Sequence, residues 1–239
     1  SNPLLSHVLI HKFGDGYMTK FFFVRHGKTE WNLEGRYQGA GGDSPLLPDS
    51  YHDFHSLAQF LLAHRVKFRA IYTSPLLRAQ TTAVFLSENL NQDIPIHIEP
   101  RLREFNLGIM EGKTFKEVEA KYPEAVDDFR HHPDQFEHNR VHAETFTQLI
   151  IRMRKIILDI ARRYPNDDDN ILIVSHGAAL TALIQSLLET PLPDLRKQGG
   201  LTNTSLTIVQ TKDHGQHFEK VLWNETSYLG KKLGKTDTI

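Results

Sequence analysis

The chain has 239 residues, with 28 Lys and Arg against 29 Asp and Glu, 14 His and no Cys. That length suits one α/β domain or two small ones with a sizeable core, and a net charge of −1 argues against nucleic-acid binding by bulk charge. Zero Cys excludes disulfide frameworks, Cys-ligated zinc, iron–sulfur clusters and thiol nucleophiles. Apolar runs such as Phe21–Val24 stop at four residues, whereas a membrane span needs about 20 and a signal peptide needs a longer apolar region. The expectation is a soluble, cytoplasmic protein without a membrane or nucleic-acid partner.

Residues 1–19 read as an N-terminal extension, with Ser1-Asn2 resembling a protease scar and Met18 a candidate start; residues 20–239 read as one domain. Phe21–Val24 is a strand running into Arg25-His26-Gly27. Phe54–His64 is helical, with Phe54, Leu57, Ala58, Leu61 and Leu62 on one face. Ala70–Thr73 is a second strand, followed by Ser74 as N-cap and Pro75 as first helical residue of a helix reaching Leu90. Pro95–Glu99 is a weaker strand ahead of Arg101–Glu104. Phe115–His142 is charged, His-rich and poor in core residues, and reads as a helical insertion near 105–145 over the sheet's edge or top. Phe146–Tyr164 is a long helix ending at Pro165. Ile171–Val174 is a strand entering Ser175-His176-Gly177, with a helix from Ala178, and 203–210 and 217–224 are late strands. Continuous apolar strands alternating with helices predict a three-layer α/β sandwich around a mostly parallel sheet.

In such sheets ligands bind beyond the carboxyl ends of the strands. Two separate strands end there in His-Gly, one of them preceded by Arg25, and a third leads to Arg78. Gly27 and Gly177 permit tight turns beside each His, and a helix after Gly177 adds its positive end. Two Arg, His26, His176 and a helix N-terminus make a pocket for a dianion such as phosphate. A neutral imidazole can attack phosphorus, and Glu104 is the best placed carboxyl to supply a proton to the leaving oxygen.

Arg25-His26-Gly27-Lys28-Thr29-Glu30-Trp31-Asn32, together with Arg36-Tyr37-Gln38-Gly39, Asp43-Ser44-Pro45-Leu46, Ser74-Pro75-Leu76-Leu77-Arg78-Ala79, Leu102-Arg103-Glu104 and Ser175-His176-Gly177, resembles the histidine phosphatase superfamily, the phosphoglycerate-mutase-like proteins, over residues 20–230 in order. The resemblance implies a phosphatase acting on a small phosphorylated metabolite without cofactor or metal. It implies His26 as nucleophile and Glu104 as proton donor and acceptor. Arg25, Arg78, His176 and Asn32 would hold the phosphoryl oxygens, while Arg36, Gln38 and Gly39 would line the mouth and Gly177 would add backbone contacts. The segment Gly39–Asp43 is one residue longer than the family pattern.

Competing readings are a cofactor-dependent phosphoglycerate mutase using the same intermediate, a non-catalytic phospho-ligand binding module, and a His-rich metal protein. Glu111 is a rival acid, and Lys28 and Arg103 are rim cations or solvated charges. His131, His132, His138 and His142 invite a metal reading, with His138 and His142 on one helix face, but lack a completing ligand. Substrate identity and oligomeric state are not legible in the sequence.

Overall fold

All seven residues of the first strand, Thr19–Arg25 (β1), are buried, as an apolar run covered on both sides requires. The computed structural model describes residues 18–166 and 169–238; most of the expected N-terminal extension lies outside the described residues. Among the described residues β1 is one of six strands, with Ala70–Thr73 (β2), Ile96–Ile98 (β3), Asp169–Ser175 (β4), Leu206–Thr211 (β5) and Glu219–Glu225 (β6). Their order across the sheet is β3-β2-β4-β1-β5-β6. The first four run parallel, and β5 pairs antiparallel with both β1 and β6. The expected mostly parallel sheet is therefore present, with an antiparallel edge where the late strands return.

Side-chain alternation divides the strands between two cores. Phe21, Phe23, Tyr72, Ile171, Ile173 and Val209 face one cluster; Phe22, Val24, Ile71, Leu172, Val174 and Ile208 face the other. The second face is covered by Pro48–Ala63 (α2) and Leu77–Leu90 (α3). The first is covered by Phe146–Arg163 (α6) and Gly177–Leu187 (α7). In α6, Phe146, Leu149, Met153, Ile156, Ile157 and Ile160 form the buried stripe, and Thr145 with Gln148 closes a capping box. The short Glu30–Glu34 (α1) follows β1.

Two boundaries differ from the sequence expectation. α2 starts at Pro48, six residues before Phe54, because Pro48 presets the first helical φ and the polar turn buries Ser50 and Asp53. α3 starts at Leu77, and Pro75-Leu76 form a bend before it. The insertion, Phe115–Lys121 (α4) and Pro123–His131 (α5) with flanking turns, is not poor in core residues. Phe105, Met110, Val118, Val126, Phe129 and Val141 are buried in the first cluster. Charged residues separate these apolar positions in sequence, but the short helices gather them onto one face.

Candidate active site

The carboxyl ends of β1 and β4 lie side by side, since Arg25 registers with Ser175. His26 and His176, the next residues, therefore meet, with ring centroids 5.1 Å apart. Gly27 follows because a Cβ there would stand 2.6 Å from the Phe54 ring. His26 is 3% exposed, and its Nδ1 lies 2.7 Å from the Gly27 carbonyl oxygen. A carbonyl only accepts, so Nδ1 carries the proton and Nε2 keeps its lone pair. Arg78 Nε donates to that Nε2 at 3.3 Å.

Burial, reinforced by Arg78 and Arg25, holds the His26 pKa well below its ordinary value, so the ring is uncharged at neutral pH. The same causes, burial first, then Arg78, depress His176. His176 is thus also uncharged here. Its Nε2 meets Ser74 Oγ at 2.7 Å, and its buried Nδ1 has no partner among the described residues.

Arg78 is held on every side. It donates to the carbonyls of Gly42 and Gly39 and pairs with Asp43 Oδ1 at 3.1 Å. Arg25 donates to the carbonyls of Leu201, at 2.6 Å, and Asp237, while its buried Nε has no partner among the described residues. Burial brings the Arg25 pKa down to about 10, against the opposing charge of Glu104.

Glu104 Oε1 accepts from Phe105 N at 2.8 Å and from Ala179 N, in the first turn of α7, at 2.9 Å. Arg152 donates to the carbonyls of Arg101, Arg103 and Glu104, so α6 clamps the segment that presents this acid. Glu111, the rival, accepts from Leu107 N and Gly41 N, and burial raises its pKa. It braces the rim loop. Gly39, at φ +60, has no room for a Cβ against Glu111.

A narrow pocket with about 20 Å³ of free volume is lined by Arg25, His26, Asn32, Gln38, Gly39, Arg78 and Glu104, and also by Arg36, Tyr37, Leu107, Phe129 and Ala178. Seven of the nine expected site residues thus share one pocket. His176 and Gly177 do not line it: His176 is fully buried behind His26, and Gly177 is the buried first residue of α7. Gln38 uses both amide ends on the loop itself, donating to Thr29 Oγ1 and accepting from Ser44 N. Asn32 Oδ1 accepts from Thr29 and from Asn203 Nδ2, the latter at 3.3 Å, which caps α1.

Other expectations shift. Lys28 is no rim cation, since it pairs with Asp237 Oδ1 at 2.9 Å. His138 lies in a 3₁₀ turn, bonded to Ala143 O, and His142 sits at φ +54, so they share no helix face. His132 faces Asp127 and Asp128 instead. That trio is the group with metal-ligand spacing among the described residues, and none of it lines the pocket. Sequence reasoning missed Ser74 as the partner of His176, Asp43 as the partner of Arg78, and Asn203. Asp43 stood within a quoted motif, but nothing in its own neighbourhood points to a helix 34 residues away.

The histidine phosphatase superfamily (branch 1) model matches residues 21–226. The chain is 32% identical to a probable phosphoglycerate mutase GpmB of Yersinia enterocolitica, covering 92% of this chain and 94% of that one. It is 29% identical to phosphoserine phosphatase 1 of Hydrogenobacter thermophilus over 90% and 96% of the two chains. It spans only 35% of the 6-phosphofructo-2-kinase/fructose-2,6-bisphosphatase of Caenorhabditis elegans, which it also matches. The solved structure of Bacillus stearothermophilus YhfR superposes with a TM-score of 0.79 at 34% identity, over 88% of this chain and 99% of that one. With paired histidines, two arginines and a carboxyl at the strand ends, and this match along nearly its whole length, the chain belongs to the histidine phosphatase superfamily.

Proposed function

We propose that the protein is a phosphomonoesterase that transfers a phosphoryl group from a small metabolite to His26 and then to water. The observation that carries this reading is the His26 tautomer: Gly27 O holds the Nδ1 proton, and Nε2 points at Arg78 in a pocket shared with Glu104. His26 Nε2 attacks phosphorus in line, forming the N–P bond as the ester P–O bond breaks. Glu104 gives a proton to the departing alkoxide. Glu104 then takes a proton from water as that water attacks phosphorus, breaking the N–P bond and releasing inorganic phosphate.

Arg25, Arg78 and Asn32 bind the phosphoryl oxygens as charge builds on them. His176, packed against the His26 ring, contributes through its buried Nδ1, which has no partner among the described residues. Gly177 acts through the first turn of α7. Gln38 and Gly39 shape the mouth. The experiment is trapping of acid-labile phosphate on the protein: His26→Ala is expected to carry none and to lose turnover, and equal labelling of both forms would refute the assignment.

A second reading, phosphoglycerate mutase, is favoured by the identity to the Yersinia protein. Incubation with 3-phosphoglycerate and catalytic 2,3-bisphosphoglycerate separates the two. Phosphate release is expected to exceed formation of 2-phosphoglycerate, because no adjacent Arg pair lies between Glu104 and Arg152 to hold the carboxylate. Fast interconversion with negligible phosphate would make the protein a mutase with the same nucleophile.

A further inference from the structure

Tyr37 and Phe129 line the narrow pocket and also a second cavity of about 650 Å³. The narrow pocket has room for little more than one small group, so the remainder of a bound ester must occupy neighbouring space. That neighbouring cavity is walled by Tyr37, Phe115, Phe129, Arg130, Arg196 and, from the C-terminal segment, Lys235. Two of its cations are stacked on its aromatics: the Arg130 guanidinium stands 5.5 Å over Phe115, and that of Arg196 5.3 Å over Phe129.

Arg196 is the unusual group. Its Nε and Nη1 are shielded from solvent, yet neither has a hydrogen-bond partner among the described residues. Burial lowers its pKa, and the largest opposing charge is Glu104, so it lies within electrostatic reach of the proposed acid. The cavity also contains Glu34 and Glu119, but Glu34 is already paired with Arg36 at 2.6 Å. A merely packed residue on Phe129 needs no donors, whereas buried guanidinium N–H groups demand an acceptor. A stacked guanidinium presents its N–H edges in the plane of the stack, the geometry that grips a carboxylate or phosphate with two bonds.

We infer that this cavity is a subsite for a second oxyanion, with Arg196 as the residue that selects phosphomonoesters ending in a carboxylate or a second phosphate. The inference rests on the phosphatase reading above. The substrate's ester phosphate enters the narrow pocket at His26. Its carbon skeleton lies against Tyr37 and Phe129, and its far oxyanion meets the Arg196 guanidinium, whose Nε and Nη1 have no partner among the described residues. A substrate with a neutral far end leaves those donors unpaired and is discriminated against for that reason.

The test uses three six-carbon phosphates that differ only at C1: glucitol 6-phosphate (an alcohol), 6-phosphogluconate (a carboxylate) and glucitol 1,6-bisphosphate (a phosphate). Affinities are measured by calorimetry in His26→Ala, which permits binding without turnover, and in His26→Ala combined with Arg196→Gln or Arg196→Lys. With Arg196 present, at least one anion-ended compound is expected to bind about tenfold or more tightly than the alcohol. The carboxylate and phosphate arms show which oxyanion fits.

In Arg196→Gln the ratio is expected to fall to about one; should that variant fail to fold, Arg196→Lys is expected to lose at least about threefold of the ratio, since an ammonium lacks the fork. Equal binding of all three compounds with Arg196 present overturns the inference, as does a ratio unchanged by either substitution. Phosphate release by the unsubstituted protein from the same compounds keeps the two readings apart. Discrimination in binding without release leaves the subsite standing and removes the hydrolysis, whereas release without discrimination removes the subsite alone.

Discussion

Asp43 both caps the helix that carries Arg78 and pairs with the Arg78 guanidinium. Its Oδ2 accepts from Leu77 N at 2.6 Å, while Oδ1 accepts from Arg78 N at 3.2 Å and from Nη1 at 3.1 Å. No side chain local to α3 caps it, so a residue from the rim loop completes the helix and aims its arginine in one contact.

This separates two effects. Asp43→Ala is expected to lose about 1 kcal/mol of stability with the cap and about tenfold or more in kcat/KM as Arg78 loosens. Asp43→Asn keeps an acceptor for the helix but not the charge, so its melting temperature should stay near that of the unsubstituted protein while kcat/KM still falls. Thermal melts with steady-state kinetics on both variants check this; full activity in Asp43→Ala would show that Gly39 and Gly42 alone hold Arg78.

Glu104→Gln preserves the bonds from Phe105 N and Ala179 N, which an amide oxygen also accepts, and removes only the acid. Phosphoenzyme formation from alkyl phosphates is expected to slow by about 10²–10⁴, and formation from para-nitrophenyl phosphate far less, because that group departs without a proton. Rapid-quench measurement of the first step is the check. Equal losses for both esters would move the acid role, with Glu111 next in line.

The two buried histidines make stability depend on pH. Both are held uncharged below their ordinary pKa, so between about pH 6.5 and their lower native values the unfolded chain binds protons that the folded chain does not. Stability is therefore present above about pH 6.5 and falls as pH drops through that window, by up to about 1.4 kcal/mol per pH unit for each histidine. Denaturant titrations between pH 7.5 and 5 are expected to show a steeper fall for the unsubstituted protein than for His26→Ala; identical slopes would mean His26 is already charged when folded.

Turnover is expected to survive excess EDTA. Arg25, Arg78 and the first turn of α7 supply positive charge and dipole where charge builds on the phosphoryl oxygens, the task a divalent ion otherwise performs. Phosphate release measured with chelator, and after adding back zinc or magnesium, decides the matter, and recovery of an inactive chelated protein by either ion would overturn it.

Much of the arrangement is legible in the sequence alone. Phe21–Val24 and Ile171–Val174 are apolar without interruption, which only strands covered on both faces tolerate, so the layers and the two His-Gly strand ends followed from local pattern. The insertion reads as poor in core residues because Val118, Val126 and Phe129 are separated by charges, and no single period aligns them until two short helices and their turns fold together. The start of α3 was misplaced for a related reason: Ser74 looks like a cap in sequence but bonds to His176, 102 residues away.

The sequence by itself determined which groups could do the chemistry. The Arg-His-Gly and Ser-His-Gly strand ends, Arg78 after a third strand and Glu104 after a fourth are consequences of residue type and strand position, and both are written locally. The tertiary structure decided what state those groups are in. The His26 tautomer depends on the Gly27 carbonyl in a turn packed on Phe54, and the neutrality of both histidines depends on burial beneath two arginines. The aim of Arg78 depends on Asp43, and the unpartnered donors of Arg196 among the described residues depend on a cavity assembled from the insertion and the C-terminal segment. Desolvation and hydrogen-bond geometry arise only when distant segments close around a group, and so no window of sequence contains them.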